Sequence, residues 1–207
     1  MSNNIEVEIR GRISKEKRDK LIDFFRKNGK FIREQNRVLL DYSTFLPGEG
    51  LKNREKDIRL RVTNKVPEII IKVGRWDVQN EGRKEVSVKA TVGEFDKLVE
   101  VYGLLGYKKA ILAIRNSMLF EYKDIEWAIV EVPGHSYYWE GEKLVNSNEN
   151  KNEVCEEIRK VSKELGLAEW TNDEFIDYMR ELNEKVNEVF EYDNYQEGYF
   201  NKRFKLI

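Results

Sequence analysis

Ile5-Glu6-Val7-Glu8-Ile9-Arg10 sets an apolar residue at every second position with a charge between. A pleated strand turns that period into one dry face and one wet face, and a helix cannot. The same pattern returns at Ile58-Arg59-Leu60-Arg61-Val62 and at Arg83-Lys84-Glu85-Val86-Ser87-Val88-Lys89. Ile69 to Val73 is an apolar run interrupted by Lys72. Ala110 to Arg115, Met118 to Tyr122, Glu126 to Val132 and Tyr137 to Glu142 read as further strands. Turn residues stand between them at Asn64 to Pro67, Asn80-Glu81-Gly82 and Pro133-Gly134.

Two helical patterns interrupt the strands. Ser14 can cap a helix to about Asn28, stopped by Gly29, and Thr91 to Leu105 is a second, stopped by Gly106. After a polar linker at Asn146 to Asn152, Val154, Ile158, Val161 and Leu165 mark a third helix. Thr171-Asn172-Asp173-Glu174 is a capping box for a fourth, carrying Phe175, Tyr178, Leu182, Val186 and Val189. The expected class is α+β, with a mainly antiparallel sheet of about eight strands closed into a barrel and flanked by helices. Residues 1–190 are read as one domain, with 146–152 as its polar loop and 153–190 as its C-terminal helices; 191–207 are an aromatic tail without an assigned structure.

Charge distribution narrows the chemistry. Glu153 to Glu197 holds fourteen acidic and five basic residues, while the rest of the chain holds 32 basic and 24 acidic, so an anionic ligand suits the rest of the chain. One cysteine, Cys155, excludes a disulfide framework and a Cys-based zinc site; one histidine, His135, excludes triad chemistry and His-rich metal sites. No nucleotide-binding glycine loop, HExxH or GxSxG is present. No apolar run reaches the ~18 residues of a membrane helix, and the N-terminus does not read as a signal peptide, so a cytoplasmic location is the expectation. Carboxylates, Lys and Arg remain to do any chemistry.

A single alternating strand is equally at home on the wet side of an ordinary sheet. The order of the signs adds a constraint. Glu6 and Glu8 lie on the first strand and Glu140 and Glu142 on the last, with Arg59, Arg61, Lys72, Arg83 and Arg115 between. If the sheet closes, the acidic strands meet and suit a hard divalent cation, while arginine forks suit phosphate oxygens.

With these residues in hand, the sequence resembles the CYTH superfamily, the triphosphate tunnel metalloenzymes. Glu6-x-Glu8-x-Arg10 is similar to that family's E-x-E-x-K signature, Arg59-x-Arg61 to its R-x-R strand and Arg83-x-Glu85 to its R-x-E. Lys72, Arg115, Val132-Pro133-Gly134 and Glu140-x-Glu142 follow in the family's order. The resemblance covers residues 5 to about 183. It implies an eight-stranded tunnel that binds a small-molecule triphosphate with Mg²⁺ or Mn²⁺. It also implies hydrolysis of inorganic triphosphate, thiamine triphosphate or a nucleoside triphosphate, with non-catalytic binding or ATP cyclisation as alternatives; among nucleic acids only an RNA 5′-triphosphate would fit. By the same resemblance Glu6, Glu8, Glu85, Glu140 and Glu142 would hold metal. Arg10, Arg59, Arg61, Lys72, Arg83 and Arg115 would hold phosphates, and Glu6, Glu8, Arg10 and Glu140 would be catalytic. Arg10 replaces the usual Lys, and Ser87, Ala113 and Val130 stand where the family often carries charged groups. Glu131 is expected on the opposite face to Val130 unless the strand bulges.

Elsewhere the expectations are plain: His135 in a surface turn, Cys155 and the tryptophans as packing residues, and Trp76 in a loop where it could stack on a ring. Phe45 to Asp57, long for a hairpin and carrying Pro47, Gly48 and Gly50, could form a lid.

Overall fold

A computed structural model describes residues 4–74, 84–146 and 150–207. Trp76, Arg83 and the Asn80-Glu81-Gly82 turn lie outside them. The strands are β1 (Asn4–Ile13), β2 (Lys30–Asp41), β3 (Lys56–Thr63), β4 (Val66–Val73), β5 (Lys84–Lys89), β6 (Lys109–Tyr122), β7 (Ile125–Val132), β8 (Ser136–Asn146) and β9 (Glu188–Glu191). The helices are α1 (Lys15–Asn28), α2 (Phe95–Leu104), α3 (Lys151–Glu164), α4 (Asn172–Lys185) and α5 (Tyr199–Phe204). The strand order is β1-β8-β7-β6-β2-β3-β4-β5, with β9 added to β6. The pairings β1–β8, β8–β7, β7–β6, β2–β3, β3–β4 and β6–β9 are antiparallel. This is the α+β class with the eight-stranded antiparallel path expected, although the set of strands differs.

β2 carries little of the alternation that marks a strand. Only its C-terminal part alternates, through Val38 and Leu40, and most of Lys30–Glu34 is exposed. Conversely, the two strands expected at Ala110–Arg115 and Met118–Tyr122 are one continuous β6 through Asn116-Ser117. Ser117 is buried there and donates to Gln35 Oε1. The fourth helix stops at Lys185, because Val189 and Phe190 pair with β6 instead. The hairpins close on residues of positive φ: Asn64 and Lys65 between β3 and β4, Lys123 and Asp124 between β6 and β7.

The chain divides into two compact units. One comprises residues 1–35, 77–84 and 115–178, the other 36–76, 85–114 and 179–207. In the first, α1 is capped as expected, Ser14 Oγ accepting the Lys17 N–H at 3.1 Å. It lays Leu21, Ile22 and Phe25 on Val7, Ile9, Phe120, Trp127, Ile129 and Trp139, and α3 adds Ile158 and Val161. Phe25 stacks on Phe120 and Trp127 at 5.4 and 5.8 Å. Cys155 packs at the margin of this cluster. The chain between α3 and α4 runs beside β1, the Trp170 N–H donating to the Arg10 carbonyl at 3.0 Å. A Cβ at Gly11 would lie 1.9 Å from the Ala168 carbonyl oxygen, so only glycine permits that approach.

The second unit builds its core from Val38, Leu40, Ile58, Leu60 and Val62, covered by Phe95, Val99 and Tyr102 of α2. The aromatic tail completes it: Phe200 and Leu206 are buried, and Tyr192, Tyr195 and Phe204 pack against them. Asp96, 5% exposed, ties the tail down. Its carboxylate accepts from the Tyr195 hydroxyl at 2.9 Å and from the Phe200 and Asn201 N–H groups at 3.0 and 2.7 Å. The tail has no periodicity because it is held by this side chain rather than by an amphipathic pattern. Asp96→Ala takes the carboxylate acceptor from the Phe200 and Asn201 N–H groups, while the Tyr195 hydroxyl keeps the residue-96 carbonyl at 3.3 Å, and buried donors cost ~1–3 kcal/mol each. The expected loss is about 3 kcal/mol in urea unfolding, with faster hydrogen exchange across residues 199–207 in the native state.

Candidate functional site

In the first unit the pleat sends Val7, Ile9, Trp127, Ile129 and Trp139 to the helix side, so the intervening residues share the other face. Register fixes their neighbours. Glu8 lies opposite Glu142, Arg10 opposite Glu140, and Glu6 opposite Leu144. β7 then sets Glu126 opposite Glu142, Ala128 opposite Glu140 and Val130 opposite Tyr138. On β6, Glu121 lies opposite Glu126. Four adjacent strands therefore carry one row of glutamates: Glu8, Glu142, Glu126 and Glu121. The sequence reading named two of these; Glu126 follows from the same alternation once Ile125, Trp127 and Ile129 are seen to face the core.

Arg10 sits within this acidic face. It is 9% exposed and donates through Nη2 to Glu8 Oε2 at 2.6 Å, while Nη1 lies 3.9 Å from Glu140 Oε1. The Phe175 ring of α4 covers the guanidinium at 4.8 Å. Burial disfavours its charge, but Glu8, Glu140, Tyr138 and Glu6 together outweigh burial and hold its pKa above the ordinary arginine value. Burial and then Glu140 push the neighbouring Tyr138 hydroxyl up, against Arg115, which pulls it down. Arg115 shares this face with Ser117 by alternation on β6. Pairings between β7 and β8 continue without a bulge from Glu126 to Val132. Glu131 consequently points to the helix side, where Arg18 Nη2 lies 3.9 Å from it. Val130 is buried on the acidic face and supplies no carboxylate there.

The second unit repeats the arrangement with the opposite sign in excess. Opposite the apolar side of β3 and β4 stand Arg59, Arg61 and Lys72. Each has an acidic neighbour that the sign order of the sequence did not reveal. Arg59 Nε donates to Asp57 Oδ1 at 2.7 Å, and its Nη2 also reaches Asp57. Arg61 Nη2 donates to Glu68 Oε2 at 2.7 Å, the two residues facing one another across β3 and β4. Lys72 Nζ lies 2.9 Å from Glu85 Oε2. Asp57 and Glu68 escaped notice because each interrupts an otherwise basic or apolar strand only once. Ala113 is buried and apolar, and Ser87 is exposed on β5.

The Phe45 to Asp57 segment is tethered. Arg54, 2% exposed, donates to Asp41 Oδ2 at 2.8 Å and to Thr44 Oγ1 at 2.6 Å, and the Glu49 carboxylate accepts the N–H groups of Glu55 and Lys56. His135 stands in the β7–β8 turn, its Nδ1 2.8 Å from the Ser136 hydroxyl.

For metal chemistry, Glu6, Glu8, Glu140 and Glu142 offer oxygen donors on one face, the donor type a hard divalent cation takes. Among the described residues no three acidic, His or Cys side chains converge into a ready-made cage. The two faces should answer charge removal with opposite signs. Glu126→Gln relieves a like-charge row and should raise stability by ~0.5 kcal/mol at neutral pH, within the range of cross-strand charge pairs. Glu68→Gln removes the charged partner of Arg61 and should lower stability by ~1–2 kcal/mol. Chemical denaturation of both variants in low salt checks the pair of signs.

No family model matches the chain. A protein of Methanocaldococcus jannaschii, provisionally named an adenylate cyclase, is 27% identical over 172 residues, covering 79% of this chain and 91% of that protein. Among solved structures, a protein of Pyrococcus horikoshii OT3 superposes with a TM-score of 0.68 at 21% identity over 85% of this chain and 98% of its own. A Hippeastrum protein, described as a provisional adenylyl cyclase with a dominant triphosphatase activity, superposes with a TM-score of 0.51 at 13% identity over 99% and 97% of the two chains. Among the described residues no helix is long and apolar enough to cross a membrane. Strand order, the charged faces and these likenesses agree: the chain has the CYTH, or triphosphate tunnel, fold.

Proposed function

We propose that the protein is a divalent-metal-dependent hydrolase of a triphosphate, its substrate inorganic triphosphate, thiamine triphosphate or a nucleoside triphosphate. The observation that carries this reading is the buried Glu8–Arg10 pair on an acidic sheet face, with Glu140 and Glu142 directly across β8. Six glutamates on one face of four strands (Glu6, Glu8, Glu140, Glu142, Glu126 and Glu121) repel one another, and a bound cation of charge two would relieve that repulsion. Glu6, Glu8, Glu140 and Glu142 are the proposed ligands of Mg²⁺ or Mn²⁺. Such a cation supplies neutralisation of the charge that develops on the transferred phosphoryl oxygens and acidifies a bound water.

The remaining work belongs to the side chains. Arg10 is charged over the whole working range, so its role is to bind and orient phosphate rather than to donate a proton. Arg59, Arg61 and Lys72 each pair with a carboxylate, a partner that a phosphate oxygen would replace as the ligand enters; Arg83 and Arg115 are assigned to phosphate as well. The carboxylate pairing keeps a crowded set of cations tolerable in the free protein, since mutual repulsion would otherwise destabilise the sheet.

A second reading, cyclisation of ATP, is favoured by the name of the M. jannaschii relative. Capture of a triphosphate without turnover is favoured by Ala113 and Val130, apolar and buried where the resemblance leads one to expect charge. Phosphate release from tripolyphosphate, ATP, GTP and thiamine triphosphate, with Mg²⁺ and with Mn²⁺, separates these, with chromatography for a cyclic product. Hydrolysis that stops in EDTA supports the proposal; a cyclic nucleotide or tight binding without release replaces it.

Two outcomes follow. Tripolyphosphate with Mg²⁺ at ~100 times its Kd should stabilise the fold by ~2.7 kcal/mol, a rise of about 6–10 °C in Tm for a chain of this size, and orthophosphate should do far less. Equal rises from both anions would reduce the site to a generic anion surface. Glu140→Gln should abolish metal-dependent hydrolysis while leaving the metal-free protein at least as stable, measured by phosphate release and thermal unfolding on one preparation.

A further inference from the structure

β5 ends the strand path, so among the described residues only β4 pairs with it. All of its residues are exposed, Val86 and Val88 by 53% and 59%. Two contacts agree on one antiparallel register against β4. Lys72 Nζ lies 2.9 Å from Glu85 Oε2, and the Ala90 N–H donates to the Pro67 carbonyl at 2.8 Å. Lys89 then lies opposite Glu68, Val88 opposite Ile69, Ser87 opposite Ile70 and Val86 opposite Ile71. The bond at Ala90 also sets which backbone groups meet β4, since every second residue of a strand turns its N–H and C=O the same way. Val88 and Val86 follow Ala90 towards β4, and the backbone groups of Glu85, Ser87 and Lys89 point off the edge.

We propose that β5 is the docking edge for a second copy of this chain, joined antiparallel about Ser87. The strand reads Lys84-Glu85-Val86-Ser87-Val88-Lys89, and about Ser87 it is its own complement. Glu85 falls opposite Lys89 of the second copy, Val86 opposite its Val88, and Ser87 opposite its Ser87. The residues with outward backbone groups then meet one another, two hydrogen bonds to a pair and about six in all. Rows of side chains continue across the seam. On the charged face the row becomes Lys72, Glu85, Lys89, Glu68, with the sign alternating at every step, the favourable cross-strand arrangement. On the opposite face it becomes Ile71, Val86, Val88, Ile69, which sets the exposed valines side by side. Moving the seam by two residues loses the Glu85–Lys89 pairs, and moving it by one sets outward backbone against inward. Exposed strand edges are ordinarily blunted by a charge or a proline, and Val86-Ser87-Val88 carries neither. A twofold axis at Ser87 makes the contact isologous, so assembly stops at two copies. One short strand a side is a small contact, and the dimer therefore forms reversibly with concentration.

Sedimentation of the full chain at low salt, over about a hundredfold range of concentration, should show the mass rising from 24.6 kDa towards twice that value. Amide exchange at Glu85, Ser87 and Lys89 should slow over the same range. Ser87→Pro removes the central outward N–H at a position an edge strand tolerates, and should give a monomer with the parental circular dichroism. Glu85→Lys and Lys89→Glu each set like charges across the seam and should weaken self-association roughly 10-fold. Mixed in equal amounts, these two variants should associate with one another, because every Glu–Lys pair is restored between unlike copies. A parent that stays monomeric throughout, or association that survives Ser87→Pro, overturns the proposal. So do charge variants that self-associate as the parent does, or a mixture no tighter than its components. Ser87→Pro and the amide exchange decide the matter without altering a charge, should either charge variant fail to fold.

Discussion

The pleat of the strands is the constraint from which the charged faces follow. Each unit buries one side of its strands, Val7, Ile9, Trp127 and Trp139 against α1 and α3 in one, Val38, Leu40, Leu60 and Val62 against α2 and the tail in the other. Side chains alternate with a period of two, so every intervening residue is forced to the opposite side. A slip of one residue in β1 would put Glu6, Glu8 and Arg10 into an apolar cluster, which their desolvation forbids. Fixing the hydrophobic register therefore fixes the charged register, and the positions of the candidate ligands come at no further structural cost.

The charged faces are held by pairing as much as by position. Arg10 with Glu8, Arg59 with Asp57, Arg61 with Glu68 and Lys72 with Glu85 each satisfy a cation that the sheet half buries. Partners of this kind add little net stability, because desolvation consumes most of the Coulomb gain. Their effect is conditional. They make the crowded cations of the free protein tolerable; under the proposed function they would give way to phosphate, which brings several oxygens to one guanidinium. In the glutamate row across β1, β8, β7 and β6, Arg10 meets Glu8 and Lys30 lies 3.7 Å from Glu121. Like charges brought side by side in this way repel one another.

Loops and tail show a different economy. Arg54, nearly inaccessible, secures the segment after β2 to Asp41 and Thr44, and Asp96 secures the last residues to α2. Neither residue lies in a periodic pattern, and both act over ten or more positions of sequence. Such single polar anchors hold backbone that no amphipathic face could fix, because they satisfy N–H groups and hydroxyls that burial would otherwise leave open.

The sequence by itself determined the strands with strong alternation, the capped helices, the α+β class and the sign of the charges at Glu6, Glu8, Arg10, Arg59, Arg61, Glu140 and Glu142. These are local properties: a period of two or of 3.6, a cap, a turn dipeptide. Tertiary structure alone decided the rest. β2 is a strand because β3 pairs with it, despite its charged and barely alternating sequence, and β6 runs unbroken through Asn116-Ser117, where β7 pairs with it and Ser117 donates to Gln35. Glu126 joins the acidic row, and Glu68 meets Arg61, only once register sets residues of different strands opposite one another, while Asp57 reaches Arg59 along the same strand. Register is set by which apolar residues share a core, and that is a property of pairs of strands, which no single stretch of sequence contains.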